Sequence, residues 1–180
     1  MFTLIFLIFL ITYHPLETIL NNPTVPALFQ RVFLVWQHIT GALDALQPLA
    51  ALVARIYVAY AFFLSGLTKL RDWGTTVALF TDEYKVPFFS PEVAAAMGTA
   101  GELALPVLLV LGLGGRFAAL GLSVINIVAV ISLAEIAPAA LQQHITWGAL
   151  LAGLAIYGCG KYALDHVIAP NVFRGTKLQG

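Results

Sequence analysis

Four long apolar stretches constrain the fold of this chain more than any other feature. They cover residues 49–70, 91–113, 117–136 and 141–157. A helix of about 20 apolar residues crosses the hydrocarbon core of a bilayer, and the last stretch only just reaches that length. The chain is 60% hydrophobic and 10% charged, with a mean hydropathy of +0.90, which excludes a soluble globular domain. The sequence therefore predicts an all-α integral membrane four-helix bundle.

Arg55 and Glu102 interrupt the first two apolar stretches. A charge in the middle of a lipid-facing helix costs roughly 2.5–3.5 kcal/mol, so such residues normally face the protein interior and have a partner. Counted from the expected cytoplasmic ends of their spans, Arg55 lies about 10 Å deep and Glu102 about 18 Å deep. An arginine side chain covers most of that gap. We therefore expect Arg55 and Glu102 to contact each other, with Lys69 farther off toward the opposite mouth.

Further side chains are expected to share a polar pocket with this pair. Phe62, Gly66 and Lys69 repeat on the helical face of Arg55, Asn126 lies in the third span, and His144 begins the fourth. The pocket and ligand-binding candidates are thus Arg55, Phe62, Gly66, Lys69, Glu102, Asn126 and His144. Such a buried pair can serve a function or simply fix the helix register.

No catalytic signature is visible in the sequence. His144 has no second histidine or carboxylate at ligand spacing, so no metal site is predicted. Cys159 is the only cysteine, which excludes an internal disulfide and a CxxC redox pair. Equal numbers of acidic and basic residues leave no electrostatic footprint for nucleic acid. Whether the chain is an enzyme, as a subunit of a membrane oxidoreductase, stays open, and any dithiol chemistry would have to belong to another subunit.

Segments outside the spans have their own patterns. Residues 1–28 form an apolar tail punctuated by prolines. Residues 29–47 carry an apolar helical stripe opposite polar residues, which predicts an amphipathic interfacial helix that Pro48 separates from the first span. The membrane domain is expected over residues 48–166, and residues 167–180 form a C-terminal tail.

The connection between the first two spans predicts a short interfacial helix over the mouth of the bundle. Trp73, Val77, Phe80 and Tyr84 recur there at helical spacing, and Pro87 is expected to end the helix. The helix would serve either as a lid or as an aromatic anchor at the membrane surface.

The basic residues predict the orientation in the membrane. Arg31, Arg116, Lys161, Arg174 and Lys177 would share one side of four spans, against Lys69, Arg71 and Lys85 on the other. Cytoplasmic loops carry the excess of Lys and Arg, so both termini are expected in the cytoplasm.

Several short motifs, taken in order, resemble the DoxX family of small bacterial membrane proteins. They are Arg55, FFLSGLTKL with Gly66 and Lys69, AGELALPVLL with Glu102, GLGGRFAAL with Arg116, and a terminal GCGKYALD. The resemblance covers residues 49–166, and the longer RIYVAYAFFLSGLTKLRDW match is similar to members encoded beside enzymes that make modified metal-binding peptides. It implies a four-helix bundle in the bacterial inner membrane and a role in membrane redox chemistry, stress or metal handling.

The terminal motif departs from the family pattern, which usually reads nearer to GPGRxSLD. Its residues of interest here are Gly158, Gly160, Lys161 and Asp165, with Cys159, Lys161 and Ala163 as the departures. Lysine keeps the charge of arginine but not its planar fork, which argues against an anion-binding role at Lys161.

The first functional hypothesis is an accessory membrane subunit that positions a quinone or a redox partner through the pocket of Arg55, Lys69 and Glu102. The alternatives are a small transporter or exporter component and a non-catalytic scaffold. The lipid bilayer is one expected partner, and a redox or peptide-modifying protein another. Small-residue spacings fit packing within the bundle and between copies of the chain alike, so a homo-oligomer stays open.

Overall fold

The computed structural model describes residues 26–166 and 168. Within them it contains five α-helices and no β-strand: α1 (Ala27–Arg71), α2 (Trp73–Asp82), α3 (Pro91–Leu111), α4 (Gly115–Ser132) and α5 (Pro138–Tyr157). One isolated antiparallel bridge joins Tyr84 to Leu133. The predicted all-α class is confirmed. The two predicted tails lie outside the described residues, apart from 26–28 and 168.

Three of the helices are long and apolar enough to cross a membrane, namely α1, α3 and α4. Helix α5 has 20 residues, but Gln142, Gln143 and His144 lie in its first half and lower its apolar content. The structure therefore supports a membrane protein with three candidate spans. The fourth span stays a prediction.

The chain divides into two compact units between Leu46 and Gln47. In the first unit, the part of α1 before this boundary exposes Val32, Trp36 and Ile39 and buries Phe33. The predicted helix break at Pro48 is wrong, because α1 runs through this proline without interruption. Proline removes one helical hydrogen bond and crowds the preceding turn, so it either kinks or ends a helix. Here the helix continues beyond Pro48 to Arg71.

The second unit is built by packing successive helices on one another: α2 on α3, α3 on α4 and α4 on α5. Its core combines small residues with branched aliphatic ones, which lets the helices approach closely. The buried members are Val58, Ala59, Phe62, Leu109, Ala118, Ala119, Leu122, Leu151, Leu154, Cys159 and Ala163.

Side-chain caps fix the starts of two helices. Ser90 accepts a hydrogen bond from the Val93 amide, and Pro91 follows as the first residue of α3. Asp72 Oδ1 accepts from the Thr75 amide at 2.9 Å and so begins α2. The short helix predicted between the first two spans is present, although it ends at Asp82 and not at Pro87.

Candidate functional site

A largely buried ion pair joins α1 to α3. Lys69 Nζ lies 2.8 Å from Glu102 Oε1 and 2.6 Å from Oε2, and it also donates to Ser65 Oγ at 2.8 Å. The two side chains are only 15% and 9% exposed. An ammonium has three N–H donors, and these three acceptors match them. The charges of the two side chains therefore cancel, and the lysine ammonium has no N–H donor left for a further hydrogen bond.

Gly66 allows the two helices to approach closely enough for this contact. A Cβ atom built at Gly66 would lie 2.9 Å from Leu103 Cδ2 and 3.1 Å from Glu102 Cβ. Contacts this short force a neighbour to move, so no side chain fits here without a shift. Gly66 stands one turn before Lys69, and its missing side chain brings α3 within reach of the ammonium.

The ion pair forms part of the wall of a pocket of about 220 Å³. Most of the lining is apolar or aromatic and comes from α2, the loop after it, α3 and α4. Besides Lys69 and Glu102, the lining residues are Phe80, Tyr84, Val86, Phe89, Ala94, Met97, Gly98, Val124, Ile125, Val128, Ala129 and Ser132. An engineered cavity of about 150 Å³ holds benzene, so this pocket has room for one substituted ring.

Helix α2 and the loop after it border the pocket on one side. Thr76 Oγ1 donates to the Lys69 carbonyl at 2.8 Å, which ties α2 to the end of α1. The rings of Phe80 and Tyr84 stack with their centroids 5.1 Å apart. Burial, together with the negative charges of Glu102 and Glu83, raises the pKa of the Tyr84 phenol, so this side chain stays neutral and protonated.

Ser132 supplies the pocket with a hydroxyl that bonds nothing else in the described part of the chain. It ends α4, is 3% exposed and lines the pocket. Its backbone carbonyl is occupied, since it accepts from the Lys85 amide at 2.9 Å. Thr99 Oγ1 and Trp147 Nε1 are also buried without a partner, but neither residue lines the pocket.

The expected contact between Arg55 and Glu102 is wrong. Arg55 is fully buried, but its guanidinium donates to four backbone carbonyls: Leu109 at 2.8 Å, Cys159 at 3.0 Å, Tyr162 at 3.3 Å, and Val110. Leu109 lies seven residues beyond Glu102, which is about 10 Å along a helix. Arg55 therefore binds the end of α3 and the segment after α5, outside the pocket.

The terminal motif meets Arg55 at this end of the second unit. Asp165 Oδ1 accepts from the Gly114 amide at 2.9 Å and Oδ2 from the Gly115 amide at 3.0 Å, so the carboxylate caps α4 across a long sequence separation. The Asp165 amide in turn donates to the Gly112 carbonyl at 3.0 Å. Gly112 has φ of 68°, and a Cβ atom there would lie 2.9 Å from Arg55 Nη2.

The remaining residues of the terminal motif differ in backbone conformation and exposure. Gly158 and Gly160 take positive φ angles of 87° and 76°, which glycine adopts readily. The side chain of Lys161 is exposed to the surroundings. Burial raises the pKa of the Cys159 thiol, with the charge of Asp165 adding to the effect and those of Arg55 and Arg116 opposing it.

Asn126 and His144 form a third cluster. His144 Nδ1 lies 2.8 Å from Asn126 Oδ1, and Asn126 Nδ2 donates to the His144 carbonyl at 3.0 Å. The His144 ring meets Trp147 edge-on at 5.1 Å, and Trp147 packs against Phe62 with ring centroids 5.5 Å apart. These contacts join α1, α4 and α5, but none of these residues lines the pocket of Lys69 and Glu102.

The structure thus distributes the predicted site residues over three clusters. Lys69 and Glu102 line the pocket with Gly66 beside it, Arg55 joins the terminal motif, and Phe62, Asn126 and His144 pack together. Ser132 was not among the pocket residues predicted from the sequence. A single serine at the end of an apolar stretch gives no periodic signal, and the loop residue Tyr84 that lines the pocket with it is distant in sequence.

The comparisons with known proteins agree with this architecture. The sequence profile of the DoxX family matches residues 50–135, which include Arg55, Lys69, Glu102 and Ser132. No curated protein and no solved structure matches the chain. The ion pair and the residues that line the pocket lie within the matched region, and residues 50–135 form a DoxX-family domain.

Proposed function

We propose that this protein is an accessory subunit of the bacterial inner membrane that holds a quinone-type ring in the pocket beside Lys69 and Glu102. In this role it supports quinone-linked redox chemistry or the handling of metal and oxidative stress by a partner protein. The observation that carries the proposal is the combination of a ring-sized apolar pocket with a buried ion pair in its wall. Intramembrane ionisable residues with a named partner are functional candidates by default.

The residues present fit a quinone ring. The pocket offers aromatic faces at Phe80 and Tyr84, apolar walls from α3 and α4, and a few polar groups that converge on it. A bound quinone would supply the capacity to carry electrons within the membrane. The chain itself would orient the ring through the Ser132 hydroxyl, with the ion pair of Lys69 and Glu102 in another wall, and Glu102 is the group placed to exchange a proton.

The proposal includes a fourth span and a defined orientation. Helix α5 packs on α4, and its polar residue His144 hydrogen-bonds with Asn126 of α4 inside the protein, which lowers the cost of placing both side chains in lipid. The distribution of Lys and Arg then favours both termini in the cytoplasm.

Cysteine labelling tests the orientation. In a Cys159→Ala background, Lys85→Cys and Lys161→Cys each place one thiol at an exposed position on opposite sides of the proposed bundle. A membrane-impermeant maleimide should label Lys85→Cys in intact spheroplasts. It should label Lys161→Cys only after the membrane is permeabilised. Labelling of both cysteines from the same side would contradict the proposal that α5 crosses the membrane.

Direct binding tests the function. The protein in lipid nanodiscs should bind a short-chain quinone in calorimetric titrations corrected with protein-free nanodiscs, and Glu102→Gln should weaken that binding. Glu92→Gln is the matched control, because Glu92 lies exposed at the start of the same helix. Absence of quinone binding, or equal affinities of the two variants, would contradict the proposal.

A small transporter component is the second candidate, favoured by the position of α2. Phe80 and Tyr84 border the pocket from a segment outside the candidate spans, where a gate would stand. Substrate flux into proteoliposomes that depends on Glu102 would support this function over the redox one. A stable protein with neither binding nor flux would instead support a scaffold.

A further inference from the structure

We infer that Ser132 is a binding residue of this pocket and that its hydroxyl selects a neutral ring-shaped ligand bearing a hydrogen-bonding oxygen. The inference rests on the proposed function in using the same pocket, but it concerns the class of ligand and the residue that recognises it.

The Ser132 hydroxyl differs from most helix hydroxyls in the described part of the chain, and Thr99, whose buried hydroxyl is also unbonded, does not line the pocket. Thr68, Ser123 and Thr146 each donate to the carbonyl four residues earlier in their own helix, at 2.8–2.9 Å. Ser132 has the same option within α4 but leaves its hydroxyl unbonded among the described residues. A buried hydroxyl without a partner is costly, so its presence in a pocket wall points to a ligand that supplies the partner.

The ion pair limits the charge that a ligand of this pocket can carry. Lys69 and Glu102 neutralise each other, and the three donors of the ammonium already face Ser65 and the carboxylate. An anionic ligand would have to break this pair or place its charge against Glu102 and apolar walls. A neutral ligand avoids both costs, because burial of an unpaired charge is far less favourable than burial of a polar neutral group.

The polar groups and aromatic side chains of the pocket also limit the shape of its ligand. The ion pair belongs to α1 and α3, whereas Ser132 belongs to α4, so the polar groups stand on different walls of a pocket with room for about one ring. Aromatic side chains at Phe80, Tyr84 and Phe89 suit a planar occupant. A ring with an oxygen at its edge can bond Ser132 while its face meets these side chains.

Four probes that share a tetramethyl-substituted ring separate the possibilities. Tetramethyl-1,4-benzoquinone and 2,3,5,6-tetramethylphenol are neutral and carry oxygen, 1,2,4,5-tetramethylbenzene is neutral without oxygen, and 2,3,5,6-tetramethylbenzoate is an anion. Each is titrated into the full-length protein in nanodiscs as wild type, Ser132→Ala and Ser123→Ala. Ser123 is the matched control, because it lies on the same helix with its hydroxyl already bonded to the Ala119 carbonyl.

The wild type should bind the neutral oxygen-bearing rings more tightly than the hydrocarbon and the anion. Ser132→Ala should weaken the oxygen-bearing rings about two- to twelvefold, the range for one lost hydrogen bond, and leave the hydrocarbon unchanged. Ser123→Ala should change the affinity neither for the oxygen-bearing rings nor for the hydrocarbon.

The outcomes separate the inference from the proposed function. If the quinone binds and depends on Glu102 but not on Ser132, the inference is overturned and the proposed function stands. If only the phenol binds, and does so through Ser132, the inference stands and the quinone assignment falls. Preference for the benzoate, or no Ser132-dependent binding of any probe, overturns the inference.

Discussion

Arg55 Nη1 donates to the carbonyl oxygen of Cys159 at 3.0 Å, although 104 residues separate the two along the chain. The same guanidinium binds the last turn of α3 through Leu109 and Val110. One buried side chain on α1 therefore fixes both the end of α3 and the segment after α5. The charge that first suggested a functional pair acts as a structural clamp.

Loss of this clamp should strongly destabilise the protein. Arg55→Ala removes hydrogen bonds to four buried or half-buried carbonyls, and bonds to charged groups contribute roughly 1.5–3 kcal/mol each. We expect a loss of at least about 3 kcal/mol in the free energy of unfolding, with Arg55→Lys intermediate, since lysine lacks the fork. Thermal unfolding in detergent measures this, and Arg71→Ala at the exposed end of α1 is the control. Equal stability of the two alanine variants would exclude the clamp.

The ion pair between Lys69 and Glu102 should show strong energetic coupling. Lys69→Met or Glu102→Leu alone leaves one buried charge without its partner, which costs about 3–5 kcal/mol at buried sites. The double variant restores neutrality, so its destabilisation should fall below the sum of the single effects by about 0.5–3 kcal/mol. A double-mutant cycle on unfolding free energies checks this. Strict additivity would show that the two side chains do not stabilise each other.

Gly66→Ala should separate α1 from α3. The added methyl would lie 2.9 Å from Leu103 and 3.1 Å from Glu102, and overpacking of this kind costs about 1–3 kcal/mol. Gly153→Ala in α5 meets no atom within 4 Å and should instead gain about 0.5–1 kcal/mol from higher helix propensity. The two unfolding midpoints should therefore move in opposite directions. A stabilised Gly66→Ala protein would contradict the close approach.

The carboxylate of Asp165 should matter more than the neighbouring positive charge of Lys161. Asp165→Ala removes the cap of α4 at Gly114 and Gly115, a change that typically costs about 0.5–2 kcal/mol. Asp165→Asn keeps one acceptor and should lose less, whereas Lys161→Ala alters only an exposed side chain. Amide hydrogen exchange in the first turn of α4 should rise in that order of severity. Unchanged exchange in Asp165→Ala would show that the turn is held by other contacts.

The start of α2 should respond to acid through Asp72. Hydrogen bonds from the Thr75 amide and hydroxyl lower the pKa of this carboxyl below its ordinary value of 3.8. Its contribution to the helix is therefore complete above that ordinary value and is lost as the pH falls through the lower, folded pKa. Amide exchange over residues 75–80 should rise at low pH relative to Asp72→Asn, whose capping does not titrate. Identical pH profiles would contradict this contribution.

Sequence periodicity was sufficient to place Arg55 and Glu102 inside the protein but not to pair them. Helical periodicity shows which face of a helix a residue lies on, but pairing two residues also requires their depths in the membrane. The depth of Arg55 was counted from an expected helix break at Pro48, which the structure does not contain. Lys69 was expected near the opposite mouth, yet it meets Glu102. The short helix over residues 73–82 was predictable because aromatic residues repeat along it.

The remaining features of the site could not be read from the sequence. The acceptors of Arg55 are backbone carbonyls, which every residue carries and no motif marks. Ser132 lines the pocket together with Tyr84 and Val86 of the chain after α2, which also bonds its carbonyl through Lys85. Non-local contacts of this kind depend on the final arrangement of loops.

The distance in sequence between Arg55 and its acceptors also sets an order of events during biosynthesis. When α1 and α3 have left the ribosome, the guanidinium can reach Leu109 but must wait for Cys159 and Tyr162 to be translated. The insertion machinery therefore handles a helix with an incompletely satisfied cation until the chain beyond α5 arrives. A nascent chain arrested before residue 159 should consequently remain a target for membrane quality-control proteases.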